Sequence, residues 1–191
     1  MSYPKSEKKK AYIIKKAKDV FMKKGFTRVT MKDIIVACNI SRGGLYLYFD
    51  STRTIFLEVF KRESILNQEF VTDALKKKQR AKDVLLEYID QYRNAILGKK
   101  PSLSLATYEF FRDNEEEQVI RQWQFDDLSE MFRELLEYGI RDGDFKNVNT
   151  ALWGRHFVHT LNGMCLTVPI LRLPEQRIDE ELNLLLESVM K

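Results

Sequence analysis

The chain is poor in the residues that interrupt helices and in those that hold metals or cross-links. It has 191 residues, of which 8 are glycine and 4 are proline. No stretch alternates apolar and polar residues between turn signals, so strands are not expected and the fold class predicted is all-α. Cysteine occurs twice, at Cys38 and Cys165, which excludes a disulfide framework and a cysteine zinc site. Histidine also occurs twice, at His156 and His159. Their spacing puts them on one helix face, but two ligands with no carboxylate one turn away do not make a metal site. No metal and no cofactor is expected. No run of about 18 apolar residues is present, so no membrane span is expected. No apolar signal segment follows the lysine-rich start, and the pattern predicts a cytoplasmic protein. No nucleophile–base pair and no phosphate-binding loop has the spacing that chemistry requires, so the chain is not expected to be an enzyme and no catalytic residues are assigned.

Charge is unevenly distributed. Residues 1–53 carry 13 Lys and Arg against 4 Asp and Glu, whereas residues 54–191 carry 19 against 24. A basic first quarter on a mildly acidic remainder is the electrostatic pattern of a chain that meets a polyanion at one end. Lys8, Lys9 and Lys10 alone would suit a solvated tail, but the positive charge continues through Lys15, Lys16, Lys18, Lys23, Lys24 and Arg28 on a segment with helical apolar spacing.

That segment carries Ile13, Ile14, Ala17, Val20 and Phe21 and stops at Gly25-Phe26. Thr30-Met31-Lys32-Asp33 then opens a short helix with a threonine cap and an acid in the first turn. Cys38-Asn39-Ile40 is a turn in which asparagine tolerates the left-handed conformation. Residues 41–49, Ser-Arg-Gly-Gly-Leu-Tyr-Leu-Tyr-Phe, read as a third short helix. Ser41 caps it, Arg42 stands at its start, and Gly43 and Gly44 remove bulk at a helical cost of about 1 kcal/mol each. A cation, small residues and two phenols at one helix end suit contact with DNA phosphates and base edges.

These residues resemble the DNA-binding domain of the TetR family of bacterial repressors. The resemblance spans residues 13–60 and rests on Phe21-Met22-Lys23-Lys24-Gly25-Phe26, Thr30-Met31-Lys32-Asp33-Ile34 and Ile40-Ser41-Arg42-Gly43-Gly44-Leu45-Tyr46-Leu47-Tyr48-Phe49. Four positions depart from the family pattern: Asn39 for a turn glycine, Gly44 for threonine, Leu47 for histidine, and Thr52 for a phosphate-contacting lysine, with Arg53 beside it. The resemblance implies a helix-turn-helix domain over residues 1–50 and a helical ligand-binding and dimerisation domain over residues 51–191. The expected DNA-contacting residues are Thr30, Ser41, Arg42, Gly43, Gly44, Tyr46, Leu47, Tyr48 and Arg53. The partners implied are double-stranded operator DNA, a small-molecule effector and a second copy of the chain.

The remainder is helical. Asp50-Ser51-Thr52 caps a long helix, and Leu85, Tyr88, Ile89, Tyr92 and Ile96 stripe the next, which stops at Gly98. Pro101-Ser102 starts a shorter helix. Asp113-Asn114 reads as the cap of another, with Glu115-Glu116-Glu117 in its first turn. Two final helices are expected over 149–168 and 175–190, separated by Pro169 and Pro174; by resemblance they form the homodimer interface. The aromatic load between Tyr88 and Trp153 exceeds what a small DNA-binding domain needs. Tyr88, Tyr92, Tyr108, Phe111, Trp123 and Trp153 are the expected ligand-contacting residues. Few charges sit on these stripes, so the expected effector is hydrophobic or cationic. The function expected is a ligand-responsive repressor. An all-helical protein-interaction module or a small-molecule carrier would need neither Arg42, Tyr46 and Tyr48 nor the basic first quarter.

Overall fold

The computed structural model describes residues 3–191, with side chains from residue 6 onward. Nine α-helices are described: α1 (Tyr3–Lys24), α2 (Met31–Cys38), α3 (Arg42–Tyr46), α4 (Thr52–Lys76), α5 (Ala81–Ile96), α6 (Ser104–Arg112), α7 (Gln118–Arg141), α8 (Thr150–Leu171) and α9 (Glu175–Glu187). A 3₁₀ turn at Glu115–Glu117 precedes α7. The extended pairing among the described residues is a single antiparallel bridge between Phe145 and Met190. The all-α expectation holds.

The chain divides into two compact units, one of residues 1–65 with 101–115, the other of residues 66–100 with 116–191. In the first unit, Ile13, Ala17 and Phe21 of α1, Ile34 of α2, Leu45 of α3 and Ile55 and Phe56 of α4 are fully buried. Each of the larger side chains contributes about 1.5–3 kcal/mol through burial. The helix α6 belongs to this core. Phe110 packs on Phe56 and Phe26 with ring centroids 4.8 Å apart in each case, and Phe111 packs on Phe60 at 4.9 Å. Gly25 ends α1 at φ +76°, a left-handed conformation that glycine adopts without strain.

In the second unit, α5, α7, α8 and α9 share one core with Val71 and Ala74 from the end of α4. The tightest approach is at Gly154 of α8, where a Cβ would lie 2.6 Å from the Ser129 carbonyl oxygen of α7. Arg93 ties α5 to α9 by a two-pronged ion pair with Asp179, at 2.6 and 2.9 Å, and a bond to Glu175 at 2.5 Å. Lys99 reaches the same Glu175 at 2.7 Å. The loop after α7 folds back through Phe145, which is fully buried, and the Lys146 N–H donates to the Val189 carbonyl at 2.8 Å.

Three local expectations are corrected. Asp113-Asn114 does not cap α7: the Asn114 amide donates to the Phe110 carbonyl at 2.6 Å and closes α6, while Asp113 pairs with Arg112. The acidic run forms its own 3₁₀ turn before α7 begins. Proline does not stop α8, which runs through Pro169 to Leu171 and ends at Arg172 in the left-handed conformation. Pro169 is exposed and lies in the last turn of the helix.

Candidate functional site

The helix α2 is fixed at its start by a reciprocal cap. The Asp33 N–H donates to Thr30 Oγ1 at 3.3 Å, and the Thr30 N–H donates to Asp33 Oδ2 at 2.9 Å. Lys24, in the last turn of α1, donates to the other oxygen of Asp33 at 2.7 Å. The lysine and the two Thr30 donors hold the Asp33 carboxyl down at about 2. At the other end of α2, Asn39 takes φ +50° and its N–H closes the helix, while the Tyr12 hydroxyl donates to the Cys38 carbonyl at 3.2 Å. The turn between α2 and α3 is therefore held from both sides.

α3 follows at once. Ser41 is its cap, accepting the Gly44 N–H at 3.1 Å. The helix is five residues long, shorter than the nine-residue reading of the sequence, with Leu47 as its C-cap. Leu45 is fully buried and anchors it. Ser41, Arg42, Gly43, Tyr46 and Leu47 are all exposed on the remaining surface. Leu47 is 78 % exposed, an apolar side chain with no role in this core. The Arg42 guanidinium lies 5.4 Å from the Tyr46 ring centroid, a cation–π contact that orders both side chains one turn apart. A Cβ on Gly43 would meet nothing within 4 Å, so the exposed backbone is open to close approach. Tyr48 is partly buried just past the helix. Thr30 is exposed at the start of α2, and Arg53 stands partly buried in the first turn of α4, already engaged in other interactions. Lys23, Lys24 and Lys32 border a shallow groove between α1 and α2, with Val36 and Asp33 in its lining.

The residues expected to contact a ligand separate into two groups. In the second unit, Tyr88 and Tyr92 stack with centroids 5.0 Å apart. Tyr88 meets Phe132 edge-on at 4.8 Å. Trp153 stacks on Phe157 at 4.7 Å, and its indole N–H donates to Ser188 Oγ at 2.7 Å. Trp123 stands apart, 66 % exposed on the first turns of α7. Tyr108 and Phe111 lie in the first unit. Tyr108 is exposed beside Arg112, and Phe111 is buried against Phe60 and Phe110. Both histidines are exposed on α8, and among the described residues no three His, Cys, Asp or Glu side chains converge as metal ligands.

Two residues of consequence are not visible in the sequence pattern as sites. Glu109 of α6 accepts the backbone N–H groups of Phe26 at 2.6 Å and Thr27 at 3.0 Å. Arg121 of α7 is partly buried beside Tyr92, and burial lowers its pKa. A signal for Arg121 exists: it extends the stripe Phe125, Leu128, Phe132 and Leu135 backward by one turn.

A capped α2, a left-handed turn and a short exposed α3 carrying Arg42 and Tyr46 define a helix-turn-helix protein with its second helix presented outward. Residues 13–59 match the family model described as bacterial regulatory proteins, tetR family. The chain is 30% identical over 163 residues to the uncharacterized HTH-type transcriptional regulator YfiR of Bacillus subtilis (strain 168), covering 83% of this chain and 78% of that one. Among solved structures it is similar to a TetR family regulator from Agrobacterium tumefaciens (TM-score 0.79, 16% identity, 97% of this chain and 99% of that one). It is also similar to the transcriptional regulator FadR from Bacillus subtilis in complex with stearoyl-CoA (TM-score 0.71, 21% identity, 93% and 98% covered). The chain belongs to the TetR family of bacterial regulatory proteins and is a DNA-binding transcription regulator. Among the described residues no helix is long and apolar enough to cross a membrane.

Proposed function

We propose that this protein is a repressor that holds a near-palindromic operator as a homodimer and releases it when a small hydrophobic molecule binds the second unit. The carrying observation is the exposed face of α3, where Arg42, Gly43, Tyr46 and Leu47 are presented by a helix anchored at the buried Leu45. In this reading Thr30, Ser41, Tyr48 and Arg53 contact phosphates. Arg42 and Tyr46 reach phosphate or base edges, and Gly43, Gly44 and Leu47 permit close approach. Residues 1–50 form the DNA-binding domain and residues 51–191 the ligand-binding and dimerisation domain. This functional division differs from the compact units, the first of which also takes in the first half of α4 and the whole of α6.

Dimerisation through α8 and α9 is supported by outward apolar residues on both helices. Leu152, Ile170 and Leu184 are each more than half exposed. A two-fold pair doubles the operator read and matches a palindrome. The effector is placed at the aromatic cluster of Tyr88, Tyr92, Phe132 and Trp153, and the stearoyl-CoA held by FadR is a precedent in the same fold. No enzymatic activity is assigned, and the site of action is the cytoplasm, where the DNA is.

The test is retention of genomic fragments on the purified protein, followed by affinity measurements across a salt series. Binding should fall steeply with salt, with a slope near −0.9 per phosphate contacted. A flat dependence, or no fragment retained, would remove the DNA-binding reading.

A further inference from the structure

Among the described residues of the second unit, Arg121 is a partly buried guanidinium with no ion-pair partner. Arg121 donates to the neutral amide oxygen of Gln124, and no carboxylate among the described residues pairs with it. Two other partly exposed guanidinium groups of this unit are neutralised, Arg93 by Asp179 and Glu175 and Arg133 by Glu130 and Glu137. A guanidinium withdrawn from water without a counter-charge is costly, and here burial lowers its pKa while the Tyr92 phenol acts in the opposite direction.

Beside it stand two phenols, and one of them lacks an acceptor within hydrogen-bond distance. Tyr92 stacks on Tyr88, and the Tyr88 hydroxyl is completely buried with no hydrogen-bond partner. Burial pushes both phenols upward, so each keeps its proton across the physiological range. An orphan buried hydroxyl costs about 1–3 kcal/mol. Rings pack against these polar groups, with Phe132 at 4.8 Å from Tyr88 and Phe157 at 6.3 Å, and the Cys165 thiol is near both phenols.

We propose that Arg121, Tyr92 and Tyr88 form the anion-receiving end of the effector site, and that the effector is a monovalent organic carboxylate with an apolar body. The carboxylate pairs with the Arg121 guanidinium and accepts from the phenols, and the apolar body lies against Phe132 and Phe157. Occupation supplies the missing counter-charge and satisfies the orphan hydroxyl, which a cation of the same shape does neither of. This inference rests on the proposed effector site and replaces the cationic option expected from sequence with an anionic one.

The test compares skeletons that differ only in head group. Dodecanoate and 2-naphthoate are titrated calorimetrically into the full chain beside dodecanol and 2-naphthol and beside the matching amines. At least one carboxylate should bind one per protomer, more tightly than its alcohol, with the amine weakest. Arg121→Gln should weaken that carboxylate roughly 10- to 100-fold, the range for a lost hydrogen bond to a charged group, and leave the alcohol unchanged. Tyr88→Phe should weaken it less while leaving the free protein as stable or more so, because the orphan hydroxyl is gone. Failure of both carboxylates to bind, equal affinity for acid and alcohol, or an unchanged Arg121→Gln variant overturns the proposal. An operator-release assay separates this from the repressor reading. Release by the alcohol or amine with no carboxylate binding overturns the anion site and leaves the repressor intact. Carboxylate binding lost in Arg121→Gln, without release, supports the site and removes the switch.

Discussion

The Glu109 carboxylate accepts the Phe26 N–H at 2.6 Å, joining α6 to the residue that follows the end of α1. The same oxygen accepts the Thr27 N–H at 3.0 Å and sits 2.5 Å from where a Cβ on Gly25 would lie. Three successive residues are thus shaped around one side chain from a helix more than eighty positions away.

Removing that carboxylate leaves two backbone donors unpaired and loosens α6 from the helix-turn-helix. Glu109→Ala should destabilise the protein by about 1.5–3 kcal/mol, the range for hydrogen bonds to a charged group. Glu109→Gln, which keeps one acceptor oxygen, should cost less. Urea unfolding read by far-UV circular dichroism checks the order, and equal losses for both would show that a neutral acceptor cannot replace the carboxylate.

The two polar anchors of the proposed DNA surface should behave differently. Tyr48→Phe is expected to weaken operator and scrambled DNA about equally, since a phosphate contact carries no base information. Arg42→Ala should in addition relax base preference, by about 1–3 kcal/mol for a bidentate base contact. Fluorescence anisotropy on the two duplexes distinguishes them, and a Tyr48→Phe effect confined to the operator would show that its hydroxyl reads sequence.

Acid should loosen α2 through Asp33. Its carboxyl titrates at about 2 in the folded protein against an ordinary value of 3.8, chiefly because of Lys24 and Thr30. A depressed folded pKa contributes stability that is complete above about pH 5 and is lost as pH falls toward 2. Asp33→Asn should therefore flatten the stability profile between those limits while changing little of its slope above pH 5. Denaturant midpoints at half-unit intervals decide this, and an identical slope in the variant would place the acid sensitivity elsewhere.

Two glycines of α8 should respond in opposite ways. Gly154→Ala places a methyl 2.6 Å from the Ser129 carbonyl oxygen and should cost about 1–3 kcal/mol by overpacking. Gly163 faces open space in the protomer. Alanine there should gain up to about 1 kcal/mol of helix propensity, whereas Gly163→Trp should weaken a dimer built on this face. Sedimentation equilibrium reads the second effect, and a dimer indifferent to tryptophan at 163 would move the interface off this side of α8.

Local chemistry was legible in the sequence where it is local in space. The Thr30–Asp33 cap, the left-handed Asn39, the Ser41 cap and the Gly98 stop all depend on residues within a few positions of one another. What escaped depends on distant partners. Asn114 reads as a helix opener because asparagine is a good cap, but a carbonyl of the preceding helix takes its amide. Pro169 reads as a terminator, yet in the last turn of α8 it cannot cut the helix short. Phe111 reads as one more aromatic of the ligand region, and only the packing of α6 assigns it to the first core. Glu109 is a single charge among many until the distant N–H groups of Phe26 and Thr27 single it out, and Arg121 shows in the sequence only as a backward extension of an apolar stripe.

The two tryptophans occupy opposite environments, one 66 % exposed at Trp123, the other buried at Trp153 with its indole N–H bonded to Ser188. The protein consequently carries two optical reporters that separate without labels. Emission from Trp123 should be red-shifted and open to quenching by iodide, and emission from Trp153 blue-shifted and shielded. A titration followed at both edges of the spectrum would thus distinguish an event at the protomer surface from one in its core, within a single cuvette and on the unmodified chain.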